Sequence, residues 1–131
     1  LTKDNKCELG AYVVNATALN NKITLIASGS EVEIALEAQK KLKESNIDSK
    51  VVSMPCQELF DQQNNQFKNE IIQKDIPVIT IEAGSVMGWE KYSKNNIGIN
   101  SFGESGPYKE VYKHFDLTSD KIVELAKKLV R

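Results

Sequence analysis

Apolar residues follow two rhythms along this chain. Short, nearly unbroken runs read as strands: Ala11-Tyr12-Val13-Val14, Ile23-Thr24-Leu25-Ile26-Ala27, Lys50-Val51-Val52-Ser53-Met54, Pro77-Val78-Ile79-Thr80-Ile81-Glu82 and a weaker Ile97-Gly98-Ile99-Asn100. Helical spacing occupies much of the rest. Ser30 followed by Glu33 has the form of a capping box, and a helix is expected from there to about Ser45. Val32, Ala35, Leu36 and Leu42 line its inner face, and Ile34 and Ala38 widen it. Glu37 and Lys41 are spaced as an exposed ion pair, and Asn46 suits the left-handed position that ends a helix. A short helix or turn is expected over 56–63 with Leu59 and Phe60 inward, and a second short helix around Phe67 and Ile71.

Toward the C-terminus, Ser105-Gly106-Pro107 is expected to open a helix carrying Tyr108, Val111, Tyr112 and Phe115 on one face. Thr118 is expected to cap a separate last helix, with Leu117 and Ile122 placed for a hydrophobic staple. Ile122, Leu125, Ala126 and Leu129 keep its spacing, and Lys127, Lys128 and Arg131 fall in its last turn.

These elements combine in few ways. Nearly all-apolar strands imply a sheet covered on both faces. Asn15 to Lys22 is shorter than the dozen or so residues a parallel crossover needs, so the first strand should run antiparallel to the second, at a sheet edge. The second strand, first helix and third strand form a parallel, right-handed unit. The order β-β-α-β-α-β-β-α-α describes a three-layer α/β domain. Residues 1–10 are polar and aperiodic, as in a linker or tail, leaving 11–131 as the domain.

Composition narrows the function. A chain of 131 residues is one domain. With 40% hydrophobic residues, 27% charged residues and a net charge of -1, it has neither a disordered composition nor the basic excess of a nucleic-acid binder. No apolar run approaches the roughly 18 residues of a membrane span. There is no signal-peptide core and no initiator Met, so the chain is expected to be cut from a longer one. Cys7 and Cys56 have no CxxC spacing and read as reduced thiols of a cytoplasmic protein. His114 and Arg131 are the only residues of their kinds. A His-rich metal site cannot be built, a nucleophilic triad must use His114, and phosphate recognition falls to Lys or backbone amides.

In open α/β sheets, ligands sit beyond the carboxyl ends of the strands, at the topological switch point. Those ends carry Ser28-Gly29-Ser30, Met54-Pro55 and Glu82-Ala83-Gly84-Ser85. Amides after Gly29 could face an anion at a helix N-terminus. The plainer reading, that Gly29 makes the turn and Ser30 caps, is favoured. Glu82 could act as an acid or base if burial raised its pKa, although a strand-end carboxylate is more often solvated or hydrogen-bonded. His114 is expected on the surface. Trp89, near Met87 and Tyr92, is expected at a core edge or interface rather than in a base-stacking platform. Phe102-Gly103-Glu104-Ser105-Gly106-Pro107 is expected to be a structured turn.

The residues also form a recognisable set. Ile23-Thr24-Leu25-Ile26-Ala27-Ser28-Gly29-Ser30-Glu31-Val32 resembles a stretch of the transketolase C-terminal domain. So do, in order, Val51-Val52-Ser53-Met54-Pro55 with Leu59-Phe60-Asp61-Gln62-Gln63, Glu82-Ala83-Gly84-Ser85 with Gly88-Trp89-Lys91-Tyr92, and the 102–107 run. Gly10-Ala11-Tyr12-Val13 is similar to that family's opening strand. The resemblance implies a three-layer α/β/α fold with a mixed five-stranded sheet, order 1-3-2-4-5, first strand antiparallel. Its switch point falls between the strands ending at Ser28 and Glu82.

It also implies a role in a larger enzyme of the pentose phosphate pathway. Transketolases move a two-carbon ketol unit from a ketose phosphate to an aldose phosphate, using thiamine diphosphate and Mg (or Ca). In that family the diphosphate and metal are held by the N-terminal domain, and a Glu of the middle domain activates the cofactor. The GDG…NN motif is absent here, although Asn64-Asn65 are present. No catalytic, cofactor-binding or metal-binding residue carries over to this chain. The implied role is structural: packing on the N-terminal and middle domains and supporting a cytoplasmic homodimer, without nucleic-acid or membrane partners. Two alternatives stand beside it: a regulatory small-molecule module whose crevice uses Ser28, Gly29, Ser30, Glu82 and Gly84, and the C-terminal domain of another thiamine diphosphate enzyme.

Overall fold

Strand β2 (Ile23–Ala27) is buried at all five residues because it lies at the centre of the sheet. A computed structural model of the chain describes residues 9–29, 31–83, 89, 91–99 and 108–130. On one side of β2 lies β3 (Ser49–Ser53) and on the other β4 (Val78–Ala83), both parallel to it. Strand β5 (Asn95–Ile99) extends the sheet in parallel beyond β4. Strand β1 (Tyr12–Ala16) closes the opposite edge, antiparallel to β3. The order is therefore β1-β3-β2-β4-β5, as the resemblance implied. The short link from β1 to β2 reverses the chain direction as expected, yet β1 skips β2 and pairs with β3.

Side chains alternate across each strand, and this divides the core in two. Ile23, Leu25, Ala27, Val51, Ile79 and Ile81 face helices α1 (Glu31–Glu44) and α4 (Tyr108–Val130), meeting Ile34, Ala35, Ala38, Leu42, Ile122 and Ala126. Ile26, Val52 and Val78 face the other way, toward Phe60 of α2 (Gln57–Asp61), Ile71 of α3 (Asn65–Ile71), Met54 and Trp89. The result is the three-layer arrangement.

Helix α1 ends as expected. Asn46 takes φ 62, and the amides of Asn46 and Ile47 donate to the carbonyls of Lys43 and Leu42, both at 2.9 Å. This is the Schellman pattern, with Ile47 packed against the same core as Leu42. The other half of the expected capping box, Ser30, lies outside the described residues.

Helix α4 departs from expectation. It is one continuous helix, not two, and the run proposed to open it, 105–107, lies outside the described residues. Thr118 is not a cap: it and Ser119 are buried in mid-helix. No Gly or Pro interrupts the stretch, and the propensity cost of Thr, Ser and Asp is at most about 0.7 kcal/mol each, less than docking against α1 returns. Lys41, spaced to pair with Glu37, crosses to α4 and donates to Ser119 Oγ at 2.7 Å and Asp120 Oδ1 at 2.8 Å. Between β3 and β4 stand both short helices, and Asn64 caps α3 by accepting from the Phe67 amide at 2.8 Å.

The chain reaches β1 through a narrow passage at Gly10. Its φ is +86, and a Cβ there would lie 2.6 Å from the Cys56 carbonyl oxygen and closer still to the Phe60 backbone nitrogen. At the far end of β1, the Asn15 side-chain amide donates to Oε1 of buried Gln39 of α1, and Gln39 Nε2 donates in return to the backbone carbonyls of Asn15 and, at 3.0 Å, Ser49. Among the described residues, no helix is long and apolar enough to cross a membrane.

Candidate functional site

Parallel pairing of β2 with β4 brings their carboxyl ends side by side. From β2 the chain leaves through α1 toward β3, while β4 continues to β5 on the opposite side. The switch point therefore lies between Ser28 and Glu82. Ser28 Oγ donates to Glu82 Oε1 at 3.0 Å, joining two of the residues singled out in the sequence. Burial pushes the Glu82 carboxyl above the ordinary carboxylate range, the Ser28 hydroxyl pulls it back, and the Glu31 carboxylate adds to the rise.

Gly29 adopts φ +60, in open space: a Cβ would meet only Glu31 Oε1, at 3.8 Å. Here glycine serves the left-handed turn rather than a close approach. The amides of Glu31 and Val32 donate to the carbonyls of Ser28 and Gly29 at 3.1 and 3.2 Å, which completes that turn. Carboxylates of Glu31 and Glu33 occupy the first turn of α1. Two first-turn amides are thus engaged within the turn, and acidic side chains complement the helix dipole there. Ser30 and Gly84, the other candidate crevice residues, lie outside the described residues. Of His114 only its place within α4 is described.

A second cluster joins Phe60, Trp89 and Tyr92, expected in or beside the core, to Asp61 and Lys91. Asp61, at the end of α2, accepts from Lys91 Nζ at 2.6 Å and from Tyr92 Oη at 2.8 Å. Phe60 and Tyr92 meet edge to face, their ring centroids 5.8 Å apart, and Trp89 lies 6.0 Å from Tyr92. Trp89 is buried at the edge of the second core, as expected. Burial, reinforced by the Asp61 hydrogen bond, raises the Tyr92 hydroxyl far above its ordinary pKa. The partners are distant in sequence, and Asp61 and Lys91 stood out only through the resemblance.

Lys50, unlike the exposed Lys91, is a buried cation. Its Nζ donates to the Glu70 carbonyl at 2.9 Å, near the end of α3, and burial lowers its pKa. A lysine alternating into a covered strand was the available signal. Cys56 is a free thiol, and Cys7 lies outside the described residues. Among the described residues, no three His, Cys, Asp or Glu side chains converge as metal ligands.

A family model described as Transketolase-like TK C-terminal domain matches residues 10–118. The transketolase of Sinorhizobium medicae is 39% identical over 132 residues, covering 98% of this chain and 19% of that protein. The transketolase of Bacillus subtilis is 39% identical over 128 residues, covering 94% of this chain and again 19% of the relative. Among solved structures, the Pichia stipitis transketolase in complex with sedoheptulose-7-phosphate superposes with a TM-score of 0.85 at 35% identity, covering 98% of this chain and 19% of that one. A split-gene transketolase, described as an inactive beta4 tetramer, superposes with a TM-score of 0.67 at 27% identity and covers 100% of this chain and 46% of that one. The chain spans about a fifth of the length of the curated relatives it matches.

Proposed function

The chain belongs to the transketolase C-terminal domain family, and we propose that it serves as the third domain of a longer enzyme that transfers a two-carbon ketol unit from a ketose phosphate to an aldose phosphate. The observation that carries this reading is the likeness over nearly the whole chain to one segment of full-length transketolases. In it, residues 1–10 link the domain to what precedes it, and the assembly is a cytoplasmic homodimer.

Thiamine diphosphate supplies the carbanion-stabilising chemistry of such a transfer, and a divalent metal binds its diphosphate. The described residues at the switch point do not fit that pair. At the switch point, Glu31 and Glu82 would repel a diphosphate, and the α1 amides there are engaged. Both groups are therefore assigned to the other domains, and no step of the transfer is derived through this chain. That a split-gene relative of the same fold is an inactive tetramer supports a structural role.

The test is ketol transfer measured on this chain alone and on the longer protein containing it, each with thiamine diphosphate and Mg. Turnover only in the longer protein is the expected result. Turnover by the isolated chain overturns the structural role, and an inactive longer protein overturns the assignment.

A second reading rests on the Ser28–Glu82 pair at the switch point, where a burial-raised carboxyl lies beside a hydroxyl at the ends of two parallel strands. It makes the domain a small-molecule regulatory module. Because Glu31 and Glu82 disfavour anions there, titration with uncharged sugars and nucleosides, followed by NMR at Gly29 and Glu82, tests it; unchanged spectra at millimolar ligand remove it.

A further inference from the structure

A pocket of about 270 Å³ opens among α2, α3 and the turn before β5, away from the switch point. Phe60, Ile72 and Tyr92 give it apolar and aromatic walls, while Lys68, Asn69 and Lys91 bring polar groups to it. Three features make it a built site. Asp61 fixes its cations: one carboxylate oxygen holds Lys91 at 2.6 Å, the other holds the Tyr92 hydroxyl at 2.8 Å, and the Asp61 carbonyl accepts from Lys68 Nζ at 3.2 Å. The ring of Tyr92 is fixed in turn by edge-to-face contact with Phe60. Lastly, two ammonium groups face a single carboxylate whose oxygens are both engaged, and each ammonium has three donors to place.

From this geometry we propose that the pocket binds a small organic anion, with its carboxylate or phosphate head between Lys68 and Lys91 and a compact apolar or planar body against Phe60, Ile72 and Tyr92. The volume sets the size, since drug-sized ligands occupy pockets of about 300–1,000 Å³. The two lysines set the charge, and the aromatic wall favours a body over a bare ion. This site is independent of the ketol-transfer reading and of the switch-point crevice.

Heteronuclear NMR titration of the chain with inorganic phosphate, malonate and phenyl phosphate tests the proposal, with glycerol and choline as neutral and cationic controls. The expected result is saturable shifts at Lys68, Lys91 and Tyr92 with the three anions, and not with the controls, with phenyl phosphate the tightest. Lys68→Gln and Lys91→Gln should each weaken phenyl phosphate at least about fivefold, through loss of one charge-assisted hydrogen bond; the dispersion of their spectra reports that they remain folded. Absence of saturable shifts overturns the site. Equal affinity in both variants and the parent overturns the role of the lysines, and equal binding of phosphate and phenyl phosphate overturns the pocket for a body.

Discussion

Ser28 and Glu82 are joined by a 3.0 Å hydrogen bond across the ends of two parallel strands that lie far apart in the chain. The bond sits where Glu82 is partly buried and Glu31 is near, and both conditions favour its protonated form. A carboxyl whose pKa is higher in the folded state contributes stability that is complete below the unfolded value of 4.5 and is lost as pH rises through the folded value. Glu82→Gln should therefore flatten this decline, so that the variant gains on the parent between acid and neutral pH. Urea unfolding across that range measures it, and parallel curves for the two proteins would show that Glu82 is solvated.

The two left-handed glycines should respond unequally to alanine. Gly10→Ala meets backbone on two sides and should destabilise by about 3 kcal/mol or more. Gly29→Ala meets open space and should cost only the left-handed penalty of roughly 1–2 kcal/mol. Equal losses in chemical denaturation would contradict the passage at Gly10.

For Asp61 the sign reverses. Burial works to raise its pKa, but the hydrogen bonds from Lys91 and Tyr92 outweigh this and hold it below the usual range. Its contribution is present above the unfolded value of 3.8 and is lost as pH falls through the folded one. Asp61→Asn should remove this acid sensitivity, and Tyr92→Phe should cost about 1 kcal/mol at neutral pH. A stability profile of Asp61→Asn that still falls below pH 4 in parallel with the parent would discount the cluster.

Lys50 is 6% exposed, and burial lowers its pKa, so the folded state holds this proton less tightly than the unfolded chain. Stability should rise as pH climbs from the folded value toward 10.5, and Lys50→Met should abolish that rise. At neutral pH the Met variant should lie within about 1.5 kcal/mol of the parent, because an apolar chain of similar volume replaces a desolvated cation. Lys50→Ala should lose more, about 2–4 kcal/mol, by opening a cavity.

What the chain disclosed of itself followed from the range of the forces involved. Ile23–Ala27 and Val78–Ala83 were legible because burial on both faces demands unbroken apolar runs, and their ends then located Ser28 and Glu82. Asn46 was legible because, after glycine, asparagine is the residue that most readily takes the left-handed position at a helix end. Thr118 misled because its local capping chemistry is real but weaker than packing between α1 and α4, which only the assembled fold supplies. Lys41 likewise found its partners across the interhelical contact. The ties of Asp61 to Lys91 and Tyr92 were illegible to pattern, since no spacing rule links a helix end to a turn beyond the next strand. That β1 adjoins β3 followed from the resemblance, because loop length sets direction but not neighbour.

The pairing of β1 with β3 bears on the order in which a ribosome can complete this domain. Strand β1 is synthesised first, yet its hydrogen-bonding partner is the third strand, and Tyr12 meets Ser53 only after β2 and α1 have emerged. Until then Val13 and Val14 have no sheet to join, and the first segment made is a late one to dock. Folding kinetics should show this as φ-values near zero for substitutions in β1, with higher values in β2, α1 and β3. High values in β1 would place its pairing in the nucleus instead.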